Sequence, residues 1–188
     1  MRRTEHNKNQ KEEECRLNKV LLISGSNRDC YSYKILEEIQ KNINDAKIIK
    51  LKDYNIELCR GCLFCDKNAK CIIDDDLTKI INQILENDII VFAIPNYFGG
   101  MSGFFKNFID RLHYMYKRST LKDKKIIFIY VGALEDDSIT MEEMTKSTHN
   151  IEKYLELSVI NRYSFSSRKE LDIKKIKNII SFLKSSKM

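Results

Sequence analysis

A chain of 188 residues that is 43% hydrophobic, with 33 Lys+Arg against 27 Asp+Glu, is sized for one domain and too apolar for wholesale disorder. It can bury roughly 70% of the surface its unfolded form exposes, so neither disulfide nor metal is needed just to hold it together. Its apolar runs, Ile89 to Ile94 among them, fall short of the roughly 20 residues of a membrane span, and Val20-Leu21-Leu22-Ile23 is too short for a signal h-region; a cytoplasmic protein with no membrane partner is expected, its six cysteines kept reduced.

Residues 1–17 are polar, lack an apolar period and read as a mobile arm, leaving 18–188 as the domain. From there a short β-branched run, a turn and an amphipathic helix recur. Strands are expected at about 19–24, 47–51, 89–94, 125–131 and 157–163. Helices are expected at about 31–43, 75–86, 103–116, 139–155 and 171–184. In the second helix Leu77, Ile80, Ile81, Ile84 and Leu85 fit one helical face, with Asp74 as its cap and Asp75 and Asp76 opposing its dipole. Ser102 caps the third helix. The last helix carries much of the positive surplus, in Lys174, Lys175, Lys177 and Lys184. Phe182 is the one aromatic among these lysines, too few for a strand-binding groove, so they read as a solvated face and not as a nucleic-acid surface. Five strands alternating with helices predict an α/β protein with a parallel sheet covered on both faces.

The six glycines and single proline are placed unevenly. Gly25 follows strand one, Pro95, Gly99, Gly100 and Gly103 follow strand three, and Gly132 follows strand four. No strand or helix interior is expected to hold either type. In a parallel sheet these positions share the edge where open α/β folds bind ligands.

Ser24-Gly25-Ser26-Asn27-Arg28-Asp29-Cys30-Tyr31-Ser32-Tyr33 joins strand one to the first helix. Free N–H groups at a helix N-terminus, the hydroxyls of Ser26 and Ser32 and the Arg28 cation suit a phosphate monoester. The loop lacks the three glycines of a dinucleotide fingerprint and the Gly-Lys pair of a P-loop. After strand three, Pro95-Asn96-Tyr97-Phe98-Gly99-Gly100-Met101-Ser102 sets two aromatics beside two glycines. Bare backbone could approach a flat ring there while the aromatics wall it.

The combination Gly25-Ser26-x-Arg28, Pro95-x-Tyr97-Phe98-Gly99-x-Met101-Ser102-Gly103 and Phe108-Ile109-Asp110-Arg111 resembles the NADPH-dependent FMN reductase-like group of flavodoxin-fold proteins, and within it the iron–sulfur flavoproteins. The resemblance spans about residues 18–165. It implies a three-layer flavodoxin-like fold of five parallel strands in the order 2-1-3-4-5, with FMN at the strand C-termini and a homodimer or homotetramer. It implies that Ser24, Ser26, Arg28, Ser32 and Tyr33 hold the phosphate. Pro95, Asn96, Tyr97, Phe98 and Gly99 would line the isoalloxazine ring, with Gly132 on its other side. Asn27 and Tyr33 depart from the family pattern, where proline and a small hydroxyl residue are usual.

Cys59-x2-Cys62-x2-Cys65-x5-Cys71 follows strand two. Two-residue gaps let thiolates wrap one inorganic centre, and the spacing resembles the compact motif of iron–sulfur flavoproteins, which implies a 4Fe–4S cluster. Arg60, Lys67 and Lys70 would offset its charge. A four-thiolate zinc site or unmetallated cysteines are the alternatives. Cys15 and Cys30 read as bystanders. His6, His113 and His149 are scattered, and none is expected to pair with Cys or Asp. With the cluster, single electrons would pass between it and FMN from a ferredoxin-type donor. Without it, NAD(P)H would reduce the flavin, which would pass electrons to a quinone or another flavin. A non-enzymatic flavodoxin-type carrier is a further alternative, disfavoured by the net charge of +6, since such carriers are usually acidic.

Overall fold

The centre of the computed structural model, which describes residues 18–116, 118 and 120–186, is a parallel sheet. The arm expected at 1–17 lies outside the described residues. β1 (Val20–Ser24), β2 (Lys47–Lys50), β3 (Ile89–Tyr97), β5 (Lys125–Gly132) and β6 (Ser158–Ser166) run in the order β2-β1-β3-β5-β6, all neighbours parallel. This is the 2-1-3-4-5 order. The helices are α1 (Tyr31–Gln40), α2 (Phe64–Asn68), α3 (Leu77–Leu85), α4 (Gly103–Arg111), α5 (Asp137–Tyr154) and α6 (Ile173–Ser185).

A sixth strand was not expected. β4 (Gly100–Met101) pairs antiparallel with the end of β3, Asn96 opposite Met101 and Tyr97 opposite Gly100. The reversal between them is two residues long, Phe98 at φ +53 and Gly99 at φ +73. Positive φ at both central residues is what a tight hairpin turn matching strand twist requires. β3 therefore runs through Pro95, against the expectation that strand interiors hold no proline or glycine. The last β1 partner of β3 is Ala93, so Pro95 lies where the strand has lost that neighbour and a missing N–H is tolerated. The expected third helix splits into α4 and a 3-10 turn, Leu112–Met115, and the last strand is longer than its periodicity suggests.

The period of two along the strands assigns the layers. Leu21 and Ile23 of β1 pack with Ile80, Ile84, Phe105, Phe108 and Met144, from α3, α4 and α5. Val20 and Leu22 pack on the opposite face with Ile35, Leu36, Ile39, Ile176 and Ile179, from α1 and α6. Phe92 is central to the first layer, its ring 5.3 Å from Phe105 and 5.8 Å from Phe128. Among the described residues no helix is long and apolar enough to cross a membrane.

The connection from β2 to α3 has no core of its own: no residue from 52 to 76 is buried as a whole. It is held by α4. Arg111 Nη1 donates to Asp75 Oδ2 at 2.5 Å and to the Glu57 carbonyl at 2.7 Å, and Nη2 donates to Asp75 Oδ1 at 3.2 Å. The Arg111 and Asp75 side chains are 0% and 1% exposed. Asp75 also accepts from the backbone N–H of Glu57 at 2.9 Å and of Leu77 at 3.1 Å. The acidic run is thus no simple cap: Asp76, not Asp74, precedes α3, and its side chain makes no capping bond.

Burial alone would push the Asp75 carboxyl up; the hydrogen bond from Arg111 and those from the backbone outweigh it and hold it below the usual carboxylate range. A depressed folded pKa contributes stability above the unfolded value, about 3.9, and that contribution is lost as pH falls through the folded value. Urea midpoints of the wild type should therefore drop on acidification below about pH 4. Asp75→Asn should be destabilised at pH 7 by about 3–5 kcal/mol, the cost of an orphaned buried charge. Its midpoint should fall less steeply with acid than that of the wild type.

Candidate functional site

The expected phosphate and ring residues come together at the C-terminal ends of β1, β3 and β5, three neighbouring strands. Ser24 closes β1, and its buried Oγ accepts from Ser26 N at 3.4 Å. Ser26 Oγ accepts from Arg28 N at 3.2 Å, which folds the loop onto the start of α1. Cys30 occupies the N-cap of α1 without a side-chain capping bond, so the first-turn N–H groups of a ten-residue helix are left for another acceptor. Ser26 and Ser32 are buried, and among the described residues no acid pairs with the exposed Arg28. Asp29, the one acid of the loop, is held below the usual carboxylate range by the hydrogen bond from Lys52 at 2.7 Å, with Lys50 adding at 3.5 Å. Lys50 also sits 4.9 Å over the Tyr33 ring. The donors fit a phosphate and the local acid is neutralised.

The ring loop is fastened to the phosphate loop. Ser102 Oγ donates to the Gly25 carbonyl at 2.5 Å and accepts from Phe105 N at 3.3 Å, capping α4 as expected. Gly25 N donates to the Ala93 carbonyl at 2.9 Å, and Ser102 N to the Pro95 carbonyl at 3.1 Å. Tyr97 and Phe98 are exposed. Asn96 Nδ2 donates to Glu143 Oε2 at 2.7 Å, leaving Asn96 Oδ1 buried without a partner. An orphaned acceptor beside this loop fits a ring carrying an N–H edge. Glu143, on α5, had no signal in the sequence. A Cβ on Gly99 would stand 3.6 Å from its carboxylate, in ordinary contact, so it is the turn's positive φ that calls for glycine there. At Gly132 the constraint is packing: a Cβ would meet Thr140 Oγ1 at 2.0 Å.

The four cysteines of the spaced motif line one cavity of about 360 Å³, together with Arg60, Leu63, Asp110 and His113. Cys59 and Cys62 are exposed, Cys65 and Cys71 half-buried, and none of the four is in a disulfide. Leu63 at φ +54 and Ala69 at φ +52 flank α2 and fold the loop back on itself. The loop leaves the ligand-binding edge and tracks along α4. Asn107 Nδ2 donates to the Ile56 carbonyl at 2.8 Å, Arg111 holds Glu57, and Arg118 Nη2 donates to the Cys65 carbonyl at 2.9 Å. His113 is no bystander: its Nδ1 lies 3.4 Å from Cys65 Sγ and 3.5 Å from Asp66 Oδ1. Burial pushes the Cys65 thiol up, with the Asp66 charge adding to it. Arg60 is paired with Glu57 at 2.8 Å, and Arg111 lines a neighbouring cavity together with Cys71. Four cysteines lining one cavity, with the His113 imidazole beside Cys65, fit an anionic thiolate-bound centre.

The sequence profile of the NADPH-dependent FMN reductase family matches residues 18–172. An iron-sulfur flavoprotein of Archaeoglobus fulgidus is 41% identical over 97 residues, 50% of this chain and 48% of that one. An iron-sulfur flavoprotein of Methanocaldococcus jannaschii is 31% identical over 137 residues, 70% of each chain. The chain thus spans about half the length of the first of these relatives. Among solved structures, the Trp repressor binding protein of Bacillus subtilis superposes with a TM-score of 0.62 at 21% identity, over 88% of this chain and 96% of that one. The NAD(P)H:quinone oxidoreductase of Methanothermobacter marburgensis superposes with a TM-score of 0.65 at 14% identity, over 90% and 94%. These two likenesses show the flavodoxin-like fold.

Gly132→Ala should cost about 1–3 kcal/mol, because the new methyl forces α5 away from β5. Thr140→Ala in the same chain should recover part of the loss, measured by urea denaturation of the single and double variants.

Proposed function

The chain belongs to the NADPH-dependent FMN reductase family, and from that premise we propose that it is an FMN-binding oxidoreductase whose four clustered cysteines hold a 4Fe–4S cluster. The observation that carries the reading is the pairing of two built sites: an uncapped α1 N-terminus with buried hydroxyls, and four thiols lining one cavity. The relatives named iron-sulfur flavoproteins support it. Bound FMN would supply hydride and single-electron chemistry, and a bound cluster single-electron chemistry, with NAD(P)H or a ferredoxin-type protein as the source of electrons.

The chain's residues bind and orient. The α1 N–H groups, Ser26, Ser32 and Arg28 would hold the phosphate, with Ser24 and Tyr33 shaping its surroundings. Pro95 to Gly99 would line the ring, and the amide of Asn96, its orientation fixed by Glu143, offers Oδ1 to a ring N–H. Gly132 would bring bare backbone to the other side of the ring pocket. Cys59, Cys62, Cys65 and Cys71 would bind iron as thiolates. Asp110 and His113, which line the cysteine cavity, lie two turns and more beyond Ser102, which fastens the flavin loops. One chain's two sites are thus spaced along α4, about 13 Å for nine residues. Exposed Phe98, Phe104, Ile139 and Tyr154 support work as a homo-oligomer, in which a second copy could bring its flavin to the cysteines.

Protein purified anaerobically should carry FMN with about four irons and four sulfides per chain. Arg28→Ala with Ser26→Ala should weaken FMN binding at least tenfold, since charged and hydroxyl bonds to phosphate are lost together. Cys62→Ser should abolish the iron and spare the FMN. Flavin with zinc or with reactive free thiols instead of iron would leave the cluster-free NAD(P)H-dependent reductase.

A further inference from the structure

We propose that His113 donates a hydrogen bond to the sulfur of Cys65 and thereby raises the reduction potential of the cluster; the proposal rests on the cluster reading above. The geometry is the contact of His113 Nδ1 with Cys65 Sγ at 3.4 Å and with Asp66 Oδ1 at 3.5 Å. The three groups lie within 4.8 Å of one another. A carboxylate only accepts, and so does a sulfur whose proton has given way to iron. The nitrogen that faces both acceptors therefore carries the hydrogen. A neutral imidazole protonated at Nδ1 is sufficient, so the proposal needs no change in charge on His113.

The surroundings hold both partners in place. His113 sits in the 3-10 turn whose Leu112 and Met115 are buried, directly after Arg111. Its ring packs against Tyr116 at 5.9 Å. On the other side, Arg118 Nη2 fixes Cys65 through its carbonyl at 2.9 Å and reaches the Asp66 carbonyl at 3.3 Å. The distribution of donors also follows exposure. Cys59 and Cys62 are open to water, which can donate to their sulfurs. Cys65 is half-buried, and the protein donor set against its sulfur is His113. His113 further lines a second cavity of about 520 Å³ between α4 and α5, with Ile109, Ile151 and Tyr154. With Asp110 it lines both that cavity and the cysteine cavity.

The consequence is electrostatic. Reduction adds negative charge that spreads onto the sulfurs, so an N–H donor stabilises the reduced form more than the oxidised form. Removing it lowers the potential without removing a ligand. His113 is in this sense a positioning and tuning residue, not a catalytic one.

The test compares wild type, His113→Phe and His113→Gln, prepared anaerobically, by iron and sulfide content and by redox titration of the cluster absorbance. All three should hold the same iron and sulfide. At a fixed poise the reduced-to-oxidised ratio of His113→Phe should fall at least tenfold, about 59 mV for a one-electron couple. His113→Gln, which keeps an N–H, should recover part of that shift. Equal potentials in wild type and His113→Phe at full iron would overturn the proposal and leave the cluster reading standing. So would an equal drop in both variants, which would trace the effect to bulk, or loss of iron from His113→Phe alone, which would make His113 a ligand or an assembly residue. Wild-type protein with zinc or without iron would overturn both readings.

Discussion

The buried pair of Arg111 and Asp75 is the interaction on which the cysteine site depends. Removing two charges from water costs several kcal/mol for each ion, and attraction offsets this only with good geometry and further hydrogen bonds. Here the geometry is two-pronged, and Asp75 also accepts two backbone N–H groups. The guanidinium reaches the carbonyl of Glu57, ahead of Cys59, as well as Asp75, beyond Cys71. One side chain thus closes both stems of the loop. A hydrophobic substitute could not do the same, because the loop has no buried residue to pack against it. Burial stabilises the sheet; directed polar bonds shape the loop that carries the thiols.

The same helix ties the two sites together. At the start of α4, Ser102 fastens the phosphate and ring loops through the Gly25 and Pro95 carbonyls. One turn on, Phe105 packs so closely on Gly25 that a Cβ there would come within 2.9 Å of it. Asn107 and Arg111 on α4, then His113 and Arg118 just beyond it, take the cysteine loop in order. Phe105 and Phe108 are fully buried between these contacts, and a packed core of this kind resists small displacements. The spacing of the two sites is therefore set by a helix that cannot slide without disturbing the core beneath it.

Most of the fold was legible because it rests on local periodicity. The unbroken apolar run Val20-Leu21-Leu22-Ile23 predicts a strand covered on both faces, and the apolar positions of residues 77–85 predict α3. β4 was not legible: two residues carry no period, and the hairpin depends on Phe98 accepting a positive φ that its residue type does not advertise. The candidate site was legible where chemistry is dense in sequence, as in the cysteine spacing and the Ser-Gly-Ser loop. It was hidden where partners are distant. His113 lies 48 residues from Cys65, Arg111 lies 36 from Asp75, and Glu143 lies 47 from Asn96. In each case the more distant member sits on a helix and reads as a surface or core position until the fold supplies its neighbour.

Glu143 and His113 show why such residues matter more than their isolation in the sequence suggests. Each is an exposed or half-exposed helical side chain set against a group proposed to touch a cofactor, and each limits what that group can do. A carboxylate facing Asn96 can only accept, so the amide must turn its nitrogen to α5 and its oxygen away. With iron on Cys65 as proposed, the Asp66 carboxylate and the Cys65 sulfur would both be acceptors facing His113 Nδ1, and would together favour the hydrogen on that nitrogen. In both places an acid outside the cofactor site fixes the hydrogen-bonding sense of a residue within it. The ring loop is left with an acceptor and the cysteine loop with a donor, the polarities that a ring N–H and a thiolate sulfur respectively require.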